Sequence, residues 1–229
     1  MSALVRIVLG LLPSLAWLFF YLEEDHPKHD EAKKLLFATF LLGGIATFLV
    51  LPVQLFLNRR LPGLGIYGND FFSFFVLGGI EELFKFAVVF IFLRRQQNFT
   101  AEPIHVMIYM ITAALGFAAV ENVASAFRVG GVYGLSSAVF ETVTLRFIGA
   151  TLLHTLSSGL LGYYWAEALV RKRYFWFSIA GGLAASTLLH AVFNKLIIST
   201  GPATYAIVFL VFAAFFVLND FEKLKQEHL

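Results

Sequence analysis

Residues 71–93 read FFSFFVLGGIEELFKFAVVFIFL, an apolar run about as long as a helix needs to cross the hydrocarbon of a bilayer. Its only charged residues are Glu81, Glu82 and Lys85. Each costs on the order of 3 kcal/mol at mid-membrane on insertion scales, so three in one span are no accident. The fold and the chemistry of the chain both turn on what those groups meet there.

Six further segments of membrane length lie around this run, at roughly 4–22, 35–57, 104–127, 138–170, 174–199 and 203–219. The chain is 59% apolar and 14% charged, with a mean hydropathy of +0.79. No segment alternates with a period of two, which excludes a barrel and leaves an all-α, polytopic bundle of about seven spans. The connections are too short for a soluble domain, so residues 1–229 read as one integral membrane domain. The fifth segment is overlong and is expected to tilt or to extend into the interface. The first, with Arg6 ahead of an apolar run that continues through Leu22, reads as a retained helix and not a cleaved signal.

Lys28, Lys33, Lys34, Arg94, Arg95, Arg171, Lys172, Arg173, Lys223 and Lys225 fall after spans one, three and five and in the tail. The opposite side has only Arg6, Arg59, Arg60 and Arg128. Ten against four predicts a multi-pass cell-membrane protein with its N-terminus outside and its C-terminus in the cytoplasm.

With that orientation, depth follows from the helical rise. Glu81 lies about 15 Å below the outer surface, Glu121 about 9 Å and His190 about 14 Å. His154 lies up to about 24 Å along its span, less if that span tilts. Four spans thus bring ionisable groups to overlapping levels. His190 and Asn194 are four apart and share a face, as do His154 and Ser158, and as do Glu81 and Lys85. The matching strings Leu152-Leu153-His154 and Leu188-Leu189-His190 suggest two antiparallel spans facing one cavity. Gly78, Gly79, Gly116 and Ser157 to Gly159 allow close helix approach or room for a substrate backbone. Arg146 and Lys195 are read as snorkelling toward helix ends.

The chain has no cysteine, which removes thiol chemistry, and neither a Gly-x-Ser-x-Gly elbow nor a His-Glu-x-x-His string occurs. The available parts suit water attack on a carbonyl. One glutamate activates the water, the histidines relay protons, and His190 with Asn194 stabilises the tetrahedral oxyanion. Two adjacent acids beside Lys85 are expected to differ in charge state, one acting as base and one as ion-pair partner. A zinc site built from three of Glu81, Glu121, His154 and His190 suits the same residues. A proton relay in a transporter is a reading of another class, and it requires a polar path through both leaflets. A scaffold that binds membrane helices without catalysis is a third.

Glu81-Glu82-Leu83-Phe84-Lys85, Gly116-Phe117-Ala118-Ala119-Val120-Glu121-Asn122, His154, and His190-Ala191-Val192-Phe193-Asn194, taken in order, resemble the PrsW family of intramembrane proteases. The pattern is also similar to the wider clan of CAAX prenyl endopeptidases and abortive-infection proteins. Those carry an arginine after the paired glutamates, where Lys85 stands here. The resemblance implies an intramembrane endopeptidase with Glu81, Glu82, His154, His190 and Asn194 at its centre and Glu121 in support; Lys85 is added as a supporting residue from its spacing to the two acids. It further implies a membrane-anchored protein or peptide substrate, cut near the outer leaflet, as in first-step cleavage of an anti-sigma factor. The expected partners are that substrate and the bilayer, with no nucleic acid. No cofactor is favoured, and zinc is the alternative.

Overall fold

In hydrocarbon every backbone N–H and C=O must be satisfied within the chain, and an apolar segment does that alone only as a helix. The computed structural model describes residues 2–25, 30–96, 103–133, 136–172, 174–199 and 203–226, and among these there is no strand. The helices are α1 (Ala3–Asp25), α2 (Asp30–Arg60), α3 (Phe71–Arg94), α4 (Pro103–Tyr133), α5 (Ser136–Arg146), α6 (Leu152–Arg171), α7 (Phe175–Ser199) and α8 (Ala203–Gln226). A 3₁₀ turn at Leu61–Leu64 follows α2, closed by Gly65 at φ 76°. A π-helical turn, Phe147–Thr151, fuses α5 to α6, so the overlong fifth segment becomes one continuous rod with an irregular middle. Seven rods therefore correspond to the seven apolar segments.

Five helices are long and apolar enough to cross a membrane on composition alone: α1, α2, α4, α7 and α8. Of the seven rods, the two that fall short are α3 and the fused α5–α6 rod, and the reason is chemical. α3 carries Glu81, Glu82 and Lys85, and α6 carries His154, Thr155, Ser157 and Ser158. Their polar groups are tolerable at depth only if they face protein.

α4 is the central element. Of its membrane-length stretch 78% is buried, against 17–33% for the other four. It is apolar around its whole circumference from Val106 to Ala119, the pattern of a helix with no lipid-facing side. Around it pack α1, α2, α5 and α6. α2 meets it backbone to backbone: a Cβ at Gly43 would collide with the Ala113 carbonyl, and one at Gly116 with the Phe40 carbonyl. α3 lies against α7 through a second pair of glycines. A Cβ on Gly78 would stand 3.1 Å from the His190 ring, and one on Gly79 3.1 Å from Thr187. The small residues before the paired glutamates thus serve close helix approach. The α6 and α7 rods, which carry the matching Leu-Leu-His strings, lie side by side. Their histidine rings meet edge to face, with centroids 5.2 Å apart.

Candidate active site

Adjacent residues on a helix point about 100° apart, so Glu81 and Glu82 cannot share an environment. Glu82 faces α6 and is fully buried. Its carboxylate accepts from Lys85 Nζ at 2.7 Å, Ser157 Oγ at 2.9 Å, Ser158 Oγ at 2.6 Å and His190 Nδ1 at 3.2 Å. Three of these donors converge on Oε1 and Ser158 alone meets Oε2, so both oxygens are engaged. Lys85 in turn spans from Glu82 to His154 Nδ1, at 2.9 Å, and lies over the Phe117 ring at 4.5 Å. Glu82 and Lys85 are therefore a buried ion pair closed on all sides.

Glu81 is the opposite case. Its Oε1 accepts from Gln54 Nε2 of α2 at 2.7 Å. Its Oε2 is buried and has no hydrogen-bond partner among the described residues. That oxygen lies 3.5 Å from His190 Nε2 and 3.9 Å from His154 Nδ1.

The partners of the two rings assign their tautomers. His190 Nδ1 donates to Glu82, which leaves Nε2 as a lone pair facing Glu81 Oε2. His154 Nδ1 accepts from the Lys85 ammonium, so its Nε2–H donates to Glu121 Oε2 at 2.9 Å. Glu81 Oε2, buried and without a hydrogen-bond partner among the described residues, thus faces His190 Nε2 across 3.5 Å. A buried acceptor left unsatisfied costs about 1–3 kcal/mol. A water seated to one side of the two atoms, within hydrogen-bond reach of each, satisfies it.

Beyond Glu121 the polar chain continues to the mouth of the site. Arg146 Nη2 donates to Glu121 Oε2 at 3.2 Å, and its Nε donates to Asn122 Oδ1. Asn122 Nδ2 donates to Thr151 Oγ1 at 2.9 Å. The Glu121 and Arg146 side chains are 31% and 22% exposed, whereas the atoms inward of them are buried, so the cluster opens on this side.

Glu81, Glu82, Lys85, Glu121, His154 and His190 are thus brought into one connected cluster. Asn194 is half-buried, and among the described residues no hydrogen bond ties it to that cluster. Arg146 does not snorkel toward a helix end; it turns inward onto Glu121 and Asn122, which corrects the expectation from its position. Lys195 does reach outward, donating to the Asn69 carbonyl in the α2–α3 connection at 2.9 Å. Gln54, Thr151, Asn122 and the acceptor role of Glu82 toward two serines were not singled out from sequence. Gln54 had a usable signal, being the only amide within its apolar span.

The donor set suits a metal ion. One ligand atom from each of Glu81, His154 and His190 lies within 4.8 Å of the others. Each histidine hands its far N–H to a carboxylate, Glu82 or Glu121, the outer-shell arrangement that orients metal-ligating imidazoles. The fourth candidate ligand named from sequence, Glu121, is on the far side of the His154 ring and belongs to that outer shell. A metal using His154 Nδ1 would take the lone pair that Lys85 now holds.

Comparison with known proteins gives a consistent result. Residues 31–219 match the model of a family described as PrsW family intramembrane metalloprotease. A protein named Protease PrsW from Geobacillus kaustophilus is 30% identical over 83% of this chain and 78% of its own length. Proteins of the same name from Halalkalibacterium halodurans (25% identical, 82% and 81% covered) and Oceanobacillus iheyensis (26%, 95% and 93%) also match. No solved structure matches.

Proposed function

The chain belongs to the PrsW family of intramembrane proteases, and from that premise we propose that it hydrolyses peptide bonds of membrane-anchored proteins with Glu81 as general base. The observation that carries this is the buried Glu81 Oε2, without a hydrogen-bond partner among the described residues, facing His190 Nε2 at 3.5 Å. A water held there gives one hydrogen to each. As its oxygen attacks the scissile carbonyl carbon, Glu81 takes the proton, and it returns that proton to the leaving amide nitrogen when the C–N bond breaks. His190 orients the water, with Glu82 fixing the tautomer of its ring. His154 stands beside the same oxygen, held between Lys85 and Glu121. Asn194, one turn after His190 and without a side-chain hydrogen bond among the described residues, is assigned to the oxyanion. Lys85 and Glu82 keep each other charged and in place without touching substrate.

A second reading is favoured by the three-ligand triangle. In it Glu81, His154 and His190 hold a divalent metal, which would supply Lewis-acid activation of the water and the carbonyl. The inner chain performs the same tasks of orientation and water exclusion in both readings.

With the N-terminus outside, the opening at Glu121 and Arg146 faces the extracytoplasmic leaflet. Substrate is then cut on that side, in the manner of first-step cleavage of an anchored anti-sigma factor. The test is cleavage of a fluorogenic single-span peptide by the reconstituted protein. Wild type is expected to cut, and the Glu81→Gln and His190→Ala variants are expected to be folded and inactive. Full proteolysis by both variants would remove the assignment.

A further inference from the structure

Arg146 and His154 are eight residues apart in one continuous rod. In a regular α-helix eight residues amount to 800°, which sets two side chains about 80° apart; seven residues would set them only about 20° apart. Yet both reach the same atom, Glu121 Oε2, at 3.2 and 2.9 Å. The π-helical turn between them explains how. Such a turn takes up one extra residue, so Arg146 stands where the seventh residue before His154 would stand in an unbroken helix.

The turn is held from both sides. Trp17 Nε1 of α1 donates to the Phe147 carbonyl at 3.2 Å, and the two rings stack at 5.7 Å. Thr155 Oγ1 donates to the Thr151 carbonyl at 2.8 Å, and Thr151 Oγ1 accepts from Asn122. Gly149 lets Phe193 of α7 approach, since a Cβ there would stand 3.3 Å from the Phe193 ring. Single π turns inside α-helices are rare and are frequent at functional sites.

We propose that Arg146, brought into register by this π turn, is a positioning residue that fixes the Glu121 carboxylate and through it the Nε2–H hydrogen bond that orients the His154 ring, whose tautomer Lys85 sets. The guanidinium is required for its shape, because one rigid fork serves Asn122 with Nε and Glu121 with Nη2 at a fixed spacing, which the single nitrogen of an ammonium does not reproduce. The inference rests on the reading of Glu81 and the two histidines as the water-activating group.

The test combines NMR of the ¹⁵N-labelled histidine rings with cleavage of the fluorogenic single-span peptide. In wild type the His154 Nε2–H is expected to give a resolved proton resonance, protected from exchange by its bond to Glu121. Arg146→Ala is expected to broaden that resonance by exchange and to lower kcat about 10–100-fold, the usual effect of losing an outer-shell partner, with KM within about twofold. Added guanidinium is expected to restore part of both signals, and Arg146→Lys to leave the loss largely in place. Deletion of the exposed Ile148 removes the extra residue and puts Arg146 seven before His154. That variant is expected to keep the protected Nε2–H and most of the activity, and it decides the matter if Arg146→Ala does not fold. An unchanged Nε2–H resonance in Arg146→Ala, or its loss in the folded Ile148 deletion, would overturn the inference. Wild-type cleavage by Glu81→Gln would instead overturn the water-activation reading while leaving the Nε2–H results standing.

Discussion

Replacing Glu81 with glutamine should produce an enzyme that is dead and at least as stable as the wild type. The new amide keeps its oxygen where Gln54 Nε2 already donates, at 2.7 Å. Its NH₂ takes the place of Oε2, 3.5 Å from the His190 Nε2 lone pair. An acceptor facing an acceptor becomes a donor facing an acceptor, and a buried charge with one satisfied oxygen disappears. The net gain from one such hydrogen bond is about 1 kcal/mol, or about 2–4 °C in Tm for a chain of this size. The same change removes the base, with an expected loss of about 10²–10⁴ in rate, equivalent to about 3–5 kcal/mol of barrier. Thermal unfolding followed by tryptophan fluorescence in micelles, beside the peptide-cleavage assay, measures both. A Tm lowered by several degrees would mean that Oε2 is satisfied in the native protein, and the argument for a poised base would fail.

Glu82→Ala should behave in the other way, losing about 3–5 kcal/mol because the fully buried Lys85 keeps its charge without its anion. A variant that expresses and melts like wild type would show that the pair is dispensable. Gly116→Val, which drives a side chain into the Phe40 carbonyl, should cost about 1–3 kcal/mol through the α2–α4 contact, read in the same melt. Elemental analysis of the purified protein with chelator treatment checks the metal reading. The base mechanism expects cleavage to survive, whereas stoichiometric zinc whose removal ends cleavage would make Glu81 and the histidines ligands. Because the chain has no cysteine, single cysteines report topology directly. Tyr67→Cys should react with an impermeant thiol reagent on intact cells and Arg95→Cys should not, and the reverse pattern would invert the orientation.

The rods were legible because a bilayer leaves an apolar segment one conformation, and converting position to depth aligned the acids with the histidines. That conversion assumes a regular helix, and there it missed Arg146. A π turn carries no periodic signature, so a residue that should point about 80° away from His154 was read as a helix-end charge. The division of labour between Glu81 and Glu82 was also hidden, although their differing environments were expected. Which acid is closed off depends on Ser157, Ser158 and His190 of other helices, and nothing along α3 itself distinguishes the two.

The closure of Glu82 also constrains how the protein can be made. Its last partner, His190, is synthesised 108 residues after it, which takes about 5–20 s at ribosomal speed. Throughout that interval α3 exists without the imidazoles and hydroxyls that neutralise its interior, and its three charges oppose release into lipid by up to about 9 kcal/mol. Lateral exit of this helix should therefore wait for α6 and α7, so that a nascent chain arrested after α4 leaves residues 71–94 in an aqueous channel, open to hydrophilic labels.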